Sequence, residues 1–205
     1  KAQTCIETLQ QWGYEVLVGK TLGSKSKNYF SGTDEERLIE LQAMLDAPEI
    51  KAILFGRGGY GVGRMIDQLD FTSFTKNPKW LIGFSDITVL HSHINRNYKV
   101  ATLHAPMAAA FNDGGYKNKY IQSLNDALEG KKANYTCKPH RYNQTGTATG
   151  KLVGGNLSLL AHLTGTSSDI ITKNKILFLE DIGEQLYNID RMMHQLKRSK
   201  KLSSL

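Results

Sequence analysis

Two short apolar runs, Lys51-Ala-Ile-Leu-Phe55 and Trp80-Leu-Ile-Gly-Phe84, constrain the fold most, because each is followed by a turn and then by apolar residues at helical spacing. A run of this length without polar alternation suits a strand covered on both faces, as in a parallel sheet. Val62 to Leu69 is the helix expected after the first run and Asp86 to Arg96 the helix after the second. Val100 to Met107 supplies a third apolar segment. Strands alternating with helices at these intervals require crossover connections, which gather ligands at the carboxyl ends of the strands. Upstream, Cys5, Ile6, Leu9 and Trp12 recur at helical spacing, Gly13 stops them, and Tyr14 to Gly19 alternates as a strand does. Thr33 followed three residues later by Glu36 has the form of a capping box, opening a helix that carries Leu38, Leu41, Met44 and Leu45 and stops before Pro48.

Between Gly130 and Gly150 the texture becomes polar, Thr-rich and free of helical period. We therefore expect an α/β domain with a mostly parallel sheet over residues 1–130, a linker with short strands over 131–150, and part of a smaller C-terminal domain over 151–205. In that second unit, Leu152 to Gly165 reads as a glycine turn entering an apolar helix, Lys175 to Glu180 as a strand and Asn188 to Arg198 as a helix.

The composition is that of an ordinary globular chain: of 205 residues, 40% are hydrophobic and 22% charged, which excludes disorder, collagen and coiled coil. No stretch approaches the roughly 20 apolar residues needed to cross a bilayer, so no membrane partner is expected. The 26 Lys and Arg against 19 Asp and Glu give a net charge of +7, mostly scattered. Its densest runs are Lys25–Lys27, Lys131–Lys132 and Lys197–Lys201, the last expected to be a solvated helix end, and nucleic acid is not an expected partner. Cys5 and Cys137 lack metal-ligand spacing and no HExxH motif occurs, so neither metal nor disulfide is expected and a reducing, cytoplasmic setting is. The chain opens at Lys1 without Met and closes just after a helix pattern, and we expect further sequence at both ends, with a leader left open.

Three motifs carry chemistry. Gly83-Phe-Ser-Asp86 lies between a strand and a helix, where a serine on a tight bend has its hydroxyl raised above the sheet. It departs from G-x-S-x-G, and a Ser-Asp helix cap is the alternative. Gly56-Arg-Gly-Gly-Tyr-Gly61 satisfies G-x-G-x-x-G, yet Arg57 crowds the turn and no acidic residue stands where a dinucleotide ribose needs one. Its bare N–H groups serve equally well as half of an oxyanion hole, and a plain tight turn is the third choice. Glu180 follows three apolar residues at a strand end, where it either orients a catalytic histidine or is an ordinary acid. The histidines carry no marking motif; His162 is expected to be a satisfied core residue and His104 a structural hydrogen-bonder near the site.

Six strings in order resemble the LD-carboxypeptidase family of serine peptidases, whose relatives include microcin C immunity peptidases: FSGTDEERLIEL, PEIKAILFGRGGYGVGRMIDQLDF, KWLIGFSDITVLH, TLHAPM, VGGNLSLLAHLTGT and ILFLEDIGEQLYNIDRMMHQL. The resemblance implies a Rossmann-like N-terminal domain carrying the nucleophile and a C-terminal domain carrying the rest of a Ser-His-Glu triad. Ser85 then matches the nucleophile and Glu180 the acid, while the N–H groups of Asp86, Gly58 and Gly59 resemble the oxyanion hole. Arg57 is the candidate for binding a substrate carboxylate. The family's histidine lies well downstream of the acid, outside this sequence. The implied substrate is a murein tetrapeptide, cut between the L-centre of diaminopimelate and terminal D-alanine in peptidoglycan recycling, by a cofactor-free, homodimeric enzyme. Cleavage of an aminoacyl-nucleotide is the nearer alternative and a nucleotide-binding Rossmann module the more distant one.

Overall fold

The computed structural model describes residues 2–24, 29–203 and 205. Helices α1 (Gln3–Gln11) and α2 (Asp34–Asp46) precede strand β1 (Ala52–Leu54); α3 (Thr72–Lys76) leads to β2 (Trp80–Gly83), and α4 (Thr88–Tyr98) to β3 (Leu103–His104). Helix α5 (Lys119–Leu128) follows, then β4 (Lys151–Asn156), α6 (Leu157–His162), β5 (Lys175–Glu180) and α7 (Leu186–Arg198). The strands form two parallel sheets, β1-β2-β3 and β4-β5, giving an α/β fold.

The apolar runs are continuous because both faces of the first sheet are covered. Leu81 packs on one side with Leu41, Leu45, Phe74 and Leu90, while its neighbour Ile82 packs on the other with Cys5, Phe111, Ile121 and Leu124. Successive strand residues point to opposite faces, so two adjacent apolar residues fill two different cores. Burial pushes the Cys5 thiol up to about 12, leaving it an inert packing group. Helix α2 starts where its capping box predicts: the Glu36 N–H donates to Thr33 Oγ1 at 3.1 Å and the Thr33 N–H to Glu36 Oε2 at 2.7 Å. Its far end is closed by Lys79, whose buried ammonium donates to the carbonyls of Met44 and Ala47. A cation there satisfies orphan carbonyls and opposes the negative end of the helix dipole.

Several local expectations are corrected. Tyr14 to Gly19 is not a strand, since no other strand lies beside it among the described residues and Leu17 is exposed. Val62 to Leu69 forms two 3-10 turns instead of a helix, its first N–H being taken by the side chain of Asp86. Gly154 and Gly155 are not a turn but the interior of β4, in register with Phe178 and Leu179. Residues 131–150 are exposed and contain no strand. Of the basic runs, Lys25–Lys27 lies outside the described residues. Lys201 is not a solvated helix end: its ammonium is 2.7 Å from Asp169 Oδ1 and donates to the Ile170 carbonyl. No helix among the described residues is long and apolar enough to cross a membrane.

The two sheets meet where β4 presses on the first residue of α4. A Cβ on Gly155 would lie 2.6 Å from Thr88 Oγ1 and 2.7 Å from its Cγ2, and Thr88 is fully buried. The Asn156 N–H donates to that same hydroxyl at 3.0 Å. Gly155 also holds φ +148°, where L side chains are disfavoured. Gly155→Ala is therefore expected to destabilise the protein by roughly 2–5 kcal/mol, combining overpacking with backbone strain. Chemical denaturation checks this, and a wild-type midpoint would contradict the docking.

Candidate active site

Strand β2 ends in a bend tighter than any side chain at position 83 would permit. A Cβ on Gly83 would stand 2.8 Å from Ile87 Cγ1, so the chain turns back on itself within four residues. Phe84 is extended, Ser85 adopts φ +61°, and a 3-10 turn over Ser85–Ile87 feeds α4. The left-handed conformation costs a non-glycine residue about 1–2 kcal/mol, and residues held in it cluster at functional sites. The helix-cap alternative is not seen: neither the turn nor α4 receives a side-chain cap. The Ser85 side chain is partly open to solvent at the carboxyl end of the central strand.

The glycine-rich turn after β1 comes to the same place. A Cβ on Gly58 would lie 2.7 Å from Ser85 Cβ and 2.9 Å from Ser85 Oγ, an approach only glycine permits. The N–H groups of Gly58 and Gly59 donate to no group among the described residues. The start of the turn is held by the Ala108 and Ala109 N–H groups, which donate to the carbonyls of Phe55 and Gly56. Its end is held by Asp86, whose buried Oδ2 accepts from the Val62 N–H at 2.9 Å. Asp86 thus bears on the site through its carboxylate as well as its position after the serine, a contact that local spacing does not encode. Arg57 is exposed on the turn.

The acid arrives from the second sheet. Glu180 closes β5 in register with Asn156 of β4, whose N–H is fixed to Thr88 three residues after the serine. Asn156 also caps α6, its Oδ1 accepting from the Leu159 N–H at 3.2 Å. Burial and the neighbouring Asp181 push the Glu180 carboxyl above its usual range, with the Asn156 amide pulling it back. His104, the last residue of β3, places Nε2 4.0 Å from Glu180 Oε1. Burial lowers the His104 imidazole and takes that of His91 down to about 4. His91 Nε2 lies 2.9 Å from the Gly83 carbonyl, immediately before the bend.

Gly58 therefore packs against Ser85, Asp86 follows the serine and holds the end of the turn through Val62, Gly59 is exposed on the same turn, and Glu180 is linked to them through its register with Asn156 and the Asn156–Thr88 hydrogen bond. His162 is not a core residue but exposed at the end of α6. Asn156 and Thr88 escape sequence reasoning because Gly-Gly-Asn reads as a turn and Thr-Val-Leu as an ordinary helix start. Among the described residues no group of three or more His, Cys, Asp or Glu is arranged to hold a metal ion.

A serine on a strained strand-to-helix bend packed against a glycine-rich turn in a parallel α/β fold is the geometry expected of a nucleophile elbow. Residues 1–105 match the LD-carboxypeptidase N-terminal domain and residues 149–205 its C-terminal domain, and the chain belongs to the LD-carboxypeptidase family. It is 39% identical to the probable murein peptide carboxypeptidase of Bacillus subtilis over 99% of this chain and 64% of that protein. It is 31% identical to the murein tetrapeptide carboxypeptidase of Pseudomonas aeruginosa, over 96% of this chain and 66% of that one. The chain thus spans about two thirds of the length of these relatives. Among solved structures, muramoyltetrapeptide carboxypeptidase from Oxalobacter formigenes superposes with a TM-score of 0.83 at 29% identity, covering 98% of this chain and 67% of that one. An MccF-like protein from Bacillus anthracis superposes at 0.84 and 25% identity, covering 100% and 70%.

Asp86 gives a test with a definite sign. Burial raises its pKa, opposed by the Val62 N–H and by the charges of Arg37 and His162. A carboxyl raised on folding adds stability below its unfolded pKa of about 4, and that contribution is lost as pH rises through the folded value. Asp86→Asn keeps an acceptor for Val62 without the charge, so its stability relative to the parent should improve between pH 4 and pH 7. Denaturation at the two pH values measures this, and a pH-independent difference would contradict it.

Proposed function

We propose that this protein is the larger part of a serine LD-carboxypeptidase, with Ser85 as nucleophile and Glu180 as the acid of a Ser-His-Glu triad. The observation that carries the reading is Ser85 at φ +61° against Gly58, because it sets a partly open serine on a strained bend beside backbone donors that no group among the described residues consumes. In this reading a histidine from outside these 205 residues is the base, since His194, which follows Glu180, is exposed and lies 3.8 Å from Asp190 instead. The imidazole, oriented by Glu180, takes the Ser85 proton as Oγ attacks the scissile carbonyl carbon. The N–H groups of Gly58, Gly59 and Asp86 receive the oxyanion, where losing one donor typically costs about 10²–10³ in rate. Collapse of the tetrahedral species breaks the C–N bond, the imidazolium protonates the departing amine, and water, deprotonated in the same way, hydrolyses the acyl-serine.

The substrate in this reading is murein tetrapeptide cleaved at terminal D-alanine, supported by the murein peptidase relatives. Arg57, exposed on the oxyanion turn, is assigned to a substrate carboxylate. We read the enzyme as cytoplasmic, homodimeric and divided into domains 1–130 and 151–205 by the linker 131–150. A second reading, cleavage of an aminoacyl-nucleotide, is favoured by 26% identity to the microcin C7 self-immunity protein MccF of Escherichia coli over 94% of this chain.

The test is release of D-alanine from diaminopimelate-containing tetrapeptide by the protein with any chain it carries beyond these residues. Ser85→Ala should abolish release and Glu180→Gln should lower kcat by about 10²–10⁴-fold. Hydrolysis of an aminoacyl-nucleotide without D-alanine release would select the second reading, and wild-type release by the Ala variant would overturn both.

A further inference from the structure

Glu180 carries an unsolved electrostatic problem. Its Oε1 is shut off from solvent and has no hydrogen-bond partner among the described residues, although a buried carboxylate oxygen normally finds a donor. A triad acid that takes up a proton no longer stabilises the imidazolium, and both burial and Asp181 push Glu180 that way. The donor facing the orphan oxygen is His104 Nε2, at 4.0 Å, close enough to interact and too far to be a hydrogen bond.

The His104 ring is held in place. Its backbone pairs with Gly83, whose carbonyl accepts from the Ala105 N–H at 3.2 Å and lies against His91 Nε2. Phe178, two residues before Glu180 on β5, meets the imidazole edge-on at 4.9 Å and 80°. The same ring lines an open cleft of about 440 Å³ with Phe84, Tyr120, Tyr135 and Asp113, beside the bend that carries the serine. A substrate entering that cleft therefore touches the ring that faces the acid.

We infer that His104 is a positioning residue for Glu180, donating its Nε2–H to Oε1 once substrate fills the cleft and so keeping the carboxylate ionised and turned toward the triad imidazole. Rotation of one side chain by about 1 Å converts the present separation into a charge-assisted hydrogen bond, which is shorter and stronger than a neutral one. The titratable groups around the ring are consistent with this. His91, with ring centroids 6.3 Å apart, stays neutral down to about 4 and brings no competing charge, while Asp181 and Asp113 are the other acids nearby. With its own pKa lowered by burial, His104 is neutral at pH 7 and carries one ring proton, the one Oε1 lacks.

The inference rests on the peptidase reading of Ser85 and Glu180, and its test separates the two. An amide at the Gln position reaches where Nε2 sits, whereas that of Asn stops near Nδ1. His104→Asn is expected to lower kcat about ten-fold or more with KM within two-fold, and to move the acidic limb of kcat, which reports the substrate-bound enzyme, to higher pH. His104→Gln is expected to restore the parent limb. Independently of turnover, in a Ser85→Ala background with tetrapeptide bound, the ¹³C carboxyl titration of Glu180, assigned with Glu180→Gln, should move upward in His104→Asn and return in His104→Gln. An unchanged limb and titration in the Asn variant, or a Gln variant no better than Asn, would overturn the role. Loss of the peptidase reading would instead appear as Ser85→Ala retaining activity, and the Glu180 titration would still decide the pairing.

Discussion

The close approach of Gly58 to Ser85 is the constraint on which the rest of the site depends. With 2.7 Å between the Ser85 Cβ and the place a Gly58 Cβ would occupy, the strand-to-helix bend and the glycine turn are one packing unit built from two distant segments. The bend carries about 1–2 kcal/mol of left-handed strain at Ser85, and a hydrogen bond to a charged group, such as that between Val62 and Asp86, is worth about 1.5–3 kcal/mol. The two are of similar size, so the contact that locks the turn is able to hold the serine in a conformation it would otherwise leave. Function and strain are coupled here because the strained residue and its restraint are neighbours in sequence.

Several ionisable groups are buried wholly or in part, and each has a place in the structure. Lys79 closes α2, Asp86 closes the glycine turn, His91 faces the carbonyl before the bend, and Glu180 stands at the end of β5. Burial disfavours the charged form of every one, which lowers the histidines and raises the acids. The result is imidazoles that resist protonation beside carboxylates that are harder to ionise than usual. Asp86 and His91 lie by the carboxyl end of the central strand and Glu180 at the end of β5, whereas Lys79 stands at the opposite end of β2, so only the first three bear on the candidate site.

The continuous apolar runs, the capping box at Thr33 and the glycine turn after β1 were readable from the chain because each reflects a local rule: burial on two faces, an orphan N–H, or a conformation that needs no Cβ. The errors follow from the same rule. Gly154 and Gly155 look like a turn because glycine permits turns, yet here they let β4 approach Phe178 and Thr88, with a Cβ on Gly154 falling 1.9 Å from the Phe178 carbonyl oxygen. Val62 to Leu69 has helical spacing but folds as two 3-10 turns, and His162 has apolar neighbours in sequence but solvent in space.

What the chain's order of residues determined alone was the class of fold, the identity of the bend serine and the strand-end acid, since these are set by backbone sterics and by the period of burial within a few residues. Only the tertiary structure decided that Asp86 would bind Val62, that Asn156 would sit on Thr88, and that His104 would face Glu180 from 76 positions away in the numbering, at 4.0 Å. The first of these depends on which strands of one sheet lie side by side and the other two on how the second sheet docks against the first, and both are fixed by the shapes of whole packed faces, which no local spacing records.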